Sequence, residues 1–175
     1  MMRAAAAAGI GAWTAPFIVE SLTSPAAAAT GPCACYRVQF DPQDNDNGDC
    51  ASMQTSSVGG VSPCGTLTSP SCLTPITNLG SGNSLASLGL SITVGSSCVN
   101  DNNITFTLNP TGSFPTTSCP SPRRIVAAQA VYNGDNTTCV QASPLTTTTA
   151  SFAKLGSQDN DTEWVAFQLL IACGC

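Results

Sequence analysis

Two sets of residues in this chain carry types and spacings that could do chemistry: its cysteines and its acidic loops. The ten cysteines stand at Cys33, Cys35, Cys50, Cys64, Cys72, Cys98, Cys119, Cys139, Cys173 and Cys175. Their sulfurs could close disulfides in an oxidising compartment or hold a soft metal ion. Cys33-Ala34-Cys35 and Cys173-Gly174-Cys175 bracket the rest. In an extended strand, residues two apart share a face but lie too far apart to bond each other readily, because a bridge wants Cβ atoms about 3.5–4.5 Å apart. Each C-x-C pair is therefore predicted to send its sulfurs to different partners. One arrangement lays the first and last strands side by side and joins the two pairs directly, among roughly 945 complete pairings that ten cysteines allow. The metal alternative, four thiolates around zinc or cuprous ion, lacks the usual C-x-x-C knuckle and any histidine.

The acidic loops are Asp41-Pro42-Gln43-Asp44-Asn45-Asp46-Asn47-Gly48-Asp49 and Asp159-Asn160-Asp161-Thr162-Glu163. Calcium takes six to eight oxygens from carboxylates, amides and backbone carbonyls. Asp44, Asp46, Asp49, Asp159, Asp161 and Glu163 could supply them. With Gly48 in the sixth position of an EF-hand-type loop, the first ligand would be Gln43, so that pattern fails by one register. The same residue types also favour plain solvated turns.

Catalytic patterns are incomplete. The chain contains no histidine, which removes every Ser-His-Asp and Cys-His arrangement. Ser151-Phe152-Ala153-Lys154 spells S-x-x-K, yet it follows a Thr-rich run in an expected strand and lacks partner motifs. Asp161 and Glu163 could serve a carboxylate hydrolase, although two residues at one strand end need not form a cleft.

The elements that must position these residues follow from composition and periodicity. Charged residues make up 9% of the 175, against roughly a quarter in ordinary soluble domains. Low charge with abundant Ser and Thr suits strands joined by turns. Leu88, Leu90, Ile92 and Val94 alternate with small or polar residues, and Asn103–Leu108 repeats the pattern, so the two form an expected hairpin. Further strands are expected at Cys35–Phe40, Ile125–Tyr132, Thr147–Lys154 and Glu163–Cys173, with the last two forming a second hairpin. Residues 52–87 have few apolar positions and should depend on bridges. The expected fold is all-β, a disulfide-rich β-sandwich or Greek-key-like barrel of about six to eight strands, formed by residues 30–175 as one domain.

Residues 1–29 read as a signal peptide: Arg3, an uncharged stretch over residues 4–19, and Ala-x-Ala sites ending at Ala27, Ala28 or Ala29. Trp13-Thr14-Ala15-Pro16 and Ser24-Pro25-Ala26-Ala27-Ala28-Ala29 resemble the twin-arginine leaders of small proteins exported by high-GC Gram-positive bacteria. Only Arg3 of the arginine pair is present. The resemblance implies export and no activity. The stretch is short for a membrane span, so a secreted product with no stable span is expected after leader removal.

That product would lose Arg3 and Glu20 and keep a net charge of −5. Its bases are Arg37, Arg123, Arg124 and Lys154, too few to grip nucleic acid. The Arg123-Arg124 doublet reads as a solvated strand edge. The expected function is a secreted, non-catalytic structural, surface or binding protein with a protein or carbohydrate partner and no cofactor beyond calcium. Exposed rings at Tyr36, Tyr132 or Trp164 would favour a binder, although Trp164 suits a core. A disulfide-framed inhibitor or toxin-like effector presenting residues 61–75 is the alternative, with a small carboxylate-dependent hydrolase behind it.

Overall fold

Leu90, Ile92 and Val94 do alternate with Ser91 and Thr93 across a strand, and that strand pairs antiparallel with Ile104–Leu108 as expected. The computed structural model describes residues 32–42, 54–55, 63–94, 103–133, 137–155 and 163–175. Its strands are β1 (Ala34–Asp41), β2 (Gln54–Thr55), β3 (Thr77–Asn78), β4 (Leu90–Val94), β5 (Ile104–Leu108), β6 (Arg123–Asn133), β7 (Thr138–Gln141), β8 (Thr149–Phe152) and β9 (Glu163–Cys173). Leu88 closes a single 3-10 turn, Ala86–Leu88, instead of extending β4.

The strands form two sheets. The larger runs β2-β1-β9-β6-β7, with β3 parallel alongside β1; the smaller runs β4-β5-β8. The fold is thus disulfide-rich and all-β, two layers packed as a sandwich. Aromatic rings join the layers: Phe40 stacks on Phe106 at 5.6 Å, and Phe167 lies 5.2 Å from Phe106 and 5.3 Å from Phe152. Val38, Leu90, Ile104, Leu108, Leu169 and Ile171 fill the space around them.

The expected hairpin of β8 and β9 does not form. β8 pairs with β5, and β9 lies between β1 and β6 in the other sheet. The reason lies in β9 itself: Trp164 and every residue from Ala166 to Cys173 are buried, so both of its faces need cover and both of its edges a partner. The short β8 offers only Ala150 and Phe152 to the core.

Two bulges correct the simple alternation. Val131 opposes Ala166 and Tyr132 opposes Trp164, which leaves Val165 as an extra residue, 44% exposed. The extra residue turns Trp164 onto the core face, where it lies 4.8 Å from Tyr132 and 5.1 Å from Phe167. Val126 is the extra residue of the second shift, between Ile125 and Ala127.

Residues 63–76 lie as a strap over the outer face of the larger sheet and lead into β3 at its edge. Cys64 is bonded to Cys139 on β7, Leu67 packs with Leu170 and Ala172 of β9, and Cys72 is bonded to Cys35 on β1. Both cysteines of the stretch 52–87 that was expected to depend on bridges are thus bonded to strands of the larger sheet.

Phe106→Ala, which would empty the centre of the aromatic cluster, is expected to lower unfolding free energy by about 3–5 kcal/mol. Val165→Ala at the bulge should cost less than about 0.5 kcal/mol. Guanidinium denaturation of the oxidised protein measures both, and similar losses would contradict this placement of the core.

Candidate functional site

The eight described cysteines form four disulfides: Cys33–Cys175, Cys35–Cys72, Cys64–Cys139 and Cys119–Cys173. No thiolate remains among them to bind a metal ion. Cys50 and Cys98 lie outside the described residues. Each C-x-C pair does split between partners, and β1 does pair with β9. The direct double join is corrected, because only Cys33–Cys175 links the pairs. Cys33 and Cys35 stay in one apolar cluster, as alternation requires, whereas Cys173 packs with Tyr36 and Cys119 in another. Gly174 causes the divergence. Its φ of +65° turns the chain and sends Cys175 back toward Cys33, and an added Cβ would come within 2.8 Å of Pro120 Cγ.

Asp44, Asp46, Asp49, Asp159 and Asp161 lie outside the described residues. Glu163 opens β9 opposite Asn133. The strand ends that anchor these connections are described. Phe40, Phe167 and Ala130 are in register across the larger sheet, while Val94, Ile104 and Phe152 are in register across the smaller. Phe152 lies 6.0 Å from Trp164, so these ends belong to one end of the sandwich. The connections 43–53, 95–102, 134–136 and 156–162 are all rooted there. Every acidic residue after Glu20 is either in one of them or at a strand end beside them.

The arginines are placed otherwise. Arg37 is 7% exposed under the strap, where Nε and Nη2 donate to Leu67 O at 3.1 and 2.7 Å and Nη1 donates to Asn78 Oδ1 at 2.7 Å. Arg123, expected at a solvated edge, is 6% exposed on β6, flanked by β9. Its guanidinium donates to Cys119 O and Gly112 O and lies 5.2 Å from the Phe114 ring centroid. Two carbonyls and a ring stand where solvent was expected. Burial lowers both arginine pKa values from the ordinary guanidinium range, yet an arginine so placed stays charged.

The expected binding rings are not surface platforms: Tyr36, Tyr132 and Trp164 are all buried. Ser151 of the S-x-x-K pattern is on β8, with its Oγ 2.9 Å from Thr105 Oγ1. A shallow depression of about 430 Å³ next to Gly89, Ser91, Thr107 and Asn109 has no titratable side chain in its lining. Among the described residues no three Cys, Asp or Glu side chains converge as a metal site.

A row of glutamines escaped the sequence reading. Gln141, Gln129, Gln168 and Gln39 stand in register on β7, β6, β9 and β1, on the face under the strap. Gln39 Nε2 donates to Asp41 Oδ1 at 3.0 Å. A carboxylate oxygen only accepts, so this contact turns the Gln39 carbonyl toward its neighbour. Gln168 Nε2 donates to Gln39 Oε1 at 2.9 Å, Gln129 Nε2 to Gln168 Oε1 at 2.9 Å, and Gln141 Nε2 to Gln129 Oε1 at 3.4 Å. The amide dipoles align along the row and strengthen one another. Gln129 Nε2 also donates to Gly65 O at 3.0 Å, which ties the row to the strap. Only the shared register of four separate strands reveals it, and no motif in the sequence encodes that register.

No protein-family model, curated protein or solved structure matches the chain.

Gln168→Leu would leave Gln39 Oε1 without its donor and Gln168's share of Gln129 unmatched, at a cost of about 1–3 kcal/mol. Gln141→Ala, at the exposed end, should stay within about 0.5 kcal/mol of the parent. Denaturant midpoints of the oxidised proteins compare them, and a neutral Gln168→Leu would remove the row from the account of stability.

Proposed function

We propose that the protein is an exported, non-catalytic scaffold that offers the acidic connections at one end of its sandwich to a protein or carbohydrate partner. The observation that carries this reading is the segregation of charge. The acidic residues after Glu20 belong to connections rooted at one end or to the strand ends beside them, whereas Arg37 and Arg123 are consumed inside the fold. Oxidised cysteines support an oxidising compartment outside the cytosol. No helix among the described residues is long and apolar enough to cross a membrane.

Several polar groups among the described residues that could have served catalysis are spent on structure. Arg37 holds the strap, the glutamines hold one another, and Ser151 bonds a neighbouring strand. The inhibitor alternative keeps the disulfide frame it needs at Cys64 and Cys72, but Leu67 is buried and its carbonyl accepts from Arg37, which draws the middle of residues 61–75 onto the sheet. Calcium is a second reading of the same end, favoured by the common rooting of the two loops that carry Asp44, Asp46, Asp49, Asp159, Asp161 and Glu163.

The test compares the parent with a variant in which Asp44, Asp46, Asp49, Asp159 and Asp161 are all Asn. Both are screened against glycan and peptide arrays. A ligand that binds the parent, weakens with salt and is lost in the variant supports the reading; equal binding by both places the site elsewhere. Turnover of an arrayed ester, peptide or glycoside contradicts the non-catalytic assignment. If calcium occupies the loops, excess calcium raises the melting temperature of the parent alone. A parent melt unmoved by calcium and by chelator eliminates calcium. Export is checked by fusing residues 1–29 to a leaderless reporter, which should appear outside the cell with those residues removed.

A further inference from the structure

The Cys33–Cys175 bridge differs from the other three among the described residues in having a guanidinium against its sulfurs. Arg124 Nη2 lies 3.3 Å from Cys33 Sγ and 3.4 Å from Cys175 Sγ. Those sulfurs are its hydrogen-bond partners among the described residues, and its Nε is buried with none. A neutral disulfide is a weak acceptor and gives little in return for a half-buried cation with an unsatisfied Nε. A thiolate at the same place would be a strong one, because a nearby arginine lowers a thiol's pKa.

The two sulfurs are not equivalent. Cys33 is 4% exposed, whereas Cys175 is half-buried. The surroundings of Cys33 are also held without the bridge. Cys33 N donates to Ser71 O at 2.8 Å, Leu73 N donates to Cys33 O at 2.7 Å, and the next residues pair Ala34 with Cys173 and Cys35 with Ala172. Gly174 N donates to Pro122 O at 3.0 Å and keeps the other arm in place. Opening this bridge would therefore leave both cysteines near their positions, with Cys35–Cys72 and Cys119–Cys173 still closed on either side.

We propose that Cys33–Cys175 is a thiol-exchange site, at which a low-molecular-weight thiol attacks Cys175 and Cys33 leaves as a thiolate stabilised by Arg124. The incoming thiolate forms a bond to Cys175 Sγ, the Cys33–Cys175 bond breaks, and its electron pair stays on Cys33 Sγ. The product is a mixed disulfide on Cys175. A second thiol then attacks that mixed disulfide, releasing the oxidised small molecule and a Cys175 thiolate. Two thiols are oxidised and one protein bridge is reduced. Arg124 is a positioning and charge-stabilising residue: a leaving thiol of lower pKa departs faster.

The test exposes the native protein to limiting glutathione, quenches with iodoacetamide and maps modified cysteines by mass spectrometry. Glutathione is expected on Cys175 and carbamidomethyl on Cys33, with this bridge opening about tenfold faster than Cys35–Cys72, Cys64–Cys139 or Cys119–Cys173. Accessibility alone could favour this bridge, so Arg124→Gln and Arg124→Lys are compared. Arg124→Gln should slow opening of Cys33–Cys175 about tenfold and leave the other three rates unchanged, while Arg124→Lys restores part of the loss. Unchanged rates at the other bridges also show that the variant has folded. The proposal is overturned if glutathione is found on Cys33, if another bridge opens first, or if Arg124→Gln reacts as the parent does.

Discussion

A strand buried on both faces in the middle of a sheet is the constraint on which this structure depends. β9 carries Phe167, Leu169 and Ile171 toward the smaller sheet and Gln168, Leu170 and Ala172 the other way. The first set is covered by aromatic packing. The second needs a cover of its own, and the sequence supplies no helix for it among the described residues. Residues 63–76 take that place as an irregular strap. An irregular segment carries backbone groups that must find partners when buried, and here Leu67 O and Gly65 O receive them from Arg37 and Gln129. The buried polar residues of the larger sheet are thus the consequence of covering a sheet with a loop.

The disulfides follow the same logic. The strap has only Leu67 as a fully buried aliphatic side chain between its two bridged cysteines, and one such residue contributes about 1.5–3 kcal/mol. Ordering a dozen or so residues costs more than that. Cys35–Cys72 and Cys64–Cys139 fasten the strap at opposite margins of the sheet, and each adds about 2–4 kcal/mol, chiefly by restricting the unfolded chain. Cys119–Cys173 and Cys33–Cys175 restrict the chain at the far end of β9, where Gly174 lets the cysteines on either side of it serve opposite faces.

Much of the secondary structure was legible, because alternation marks a strand whatever it pairs with. The β4–β5 hairpin and the extent of β1 came from that signal, and β6 and β9 were marked as apolar runs. Pairing was not legible to the same degree. β8 and β9 are neighbours in sequence, which suggested a hairpin, but β9 has too much apolar surface to sit at an edge beside a four-residue strand. Trp164 points into the core only because Val165 is bulged out, and a bulge leaves no mark in the pattern of residue types. The arginine doublet was misread for a related reason: charge predicts exposure until carbonyls are arranged to replace water, as they are around Arg123.

The candidate site was legible as composition and not as geometry. The acidic loops could be found by eye, yet their common end depends on how two sheets are stacked. The guanidinium beside Cys33 and Cys175 depends on a pairing that spacing alone could not select. The strap, residues 63–76, covers β9 because it is fastened across the sheet at both margins. Peptide mapping of the native protein under non-reducing conditions checks this. Fragments joined through Cys35–Cys72 and Cys64–Cys139 are expected, whereas a fragment in which Cys64 is bonded to Cys72 would leave the strap closed on itself and unfastened.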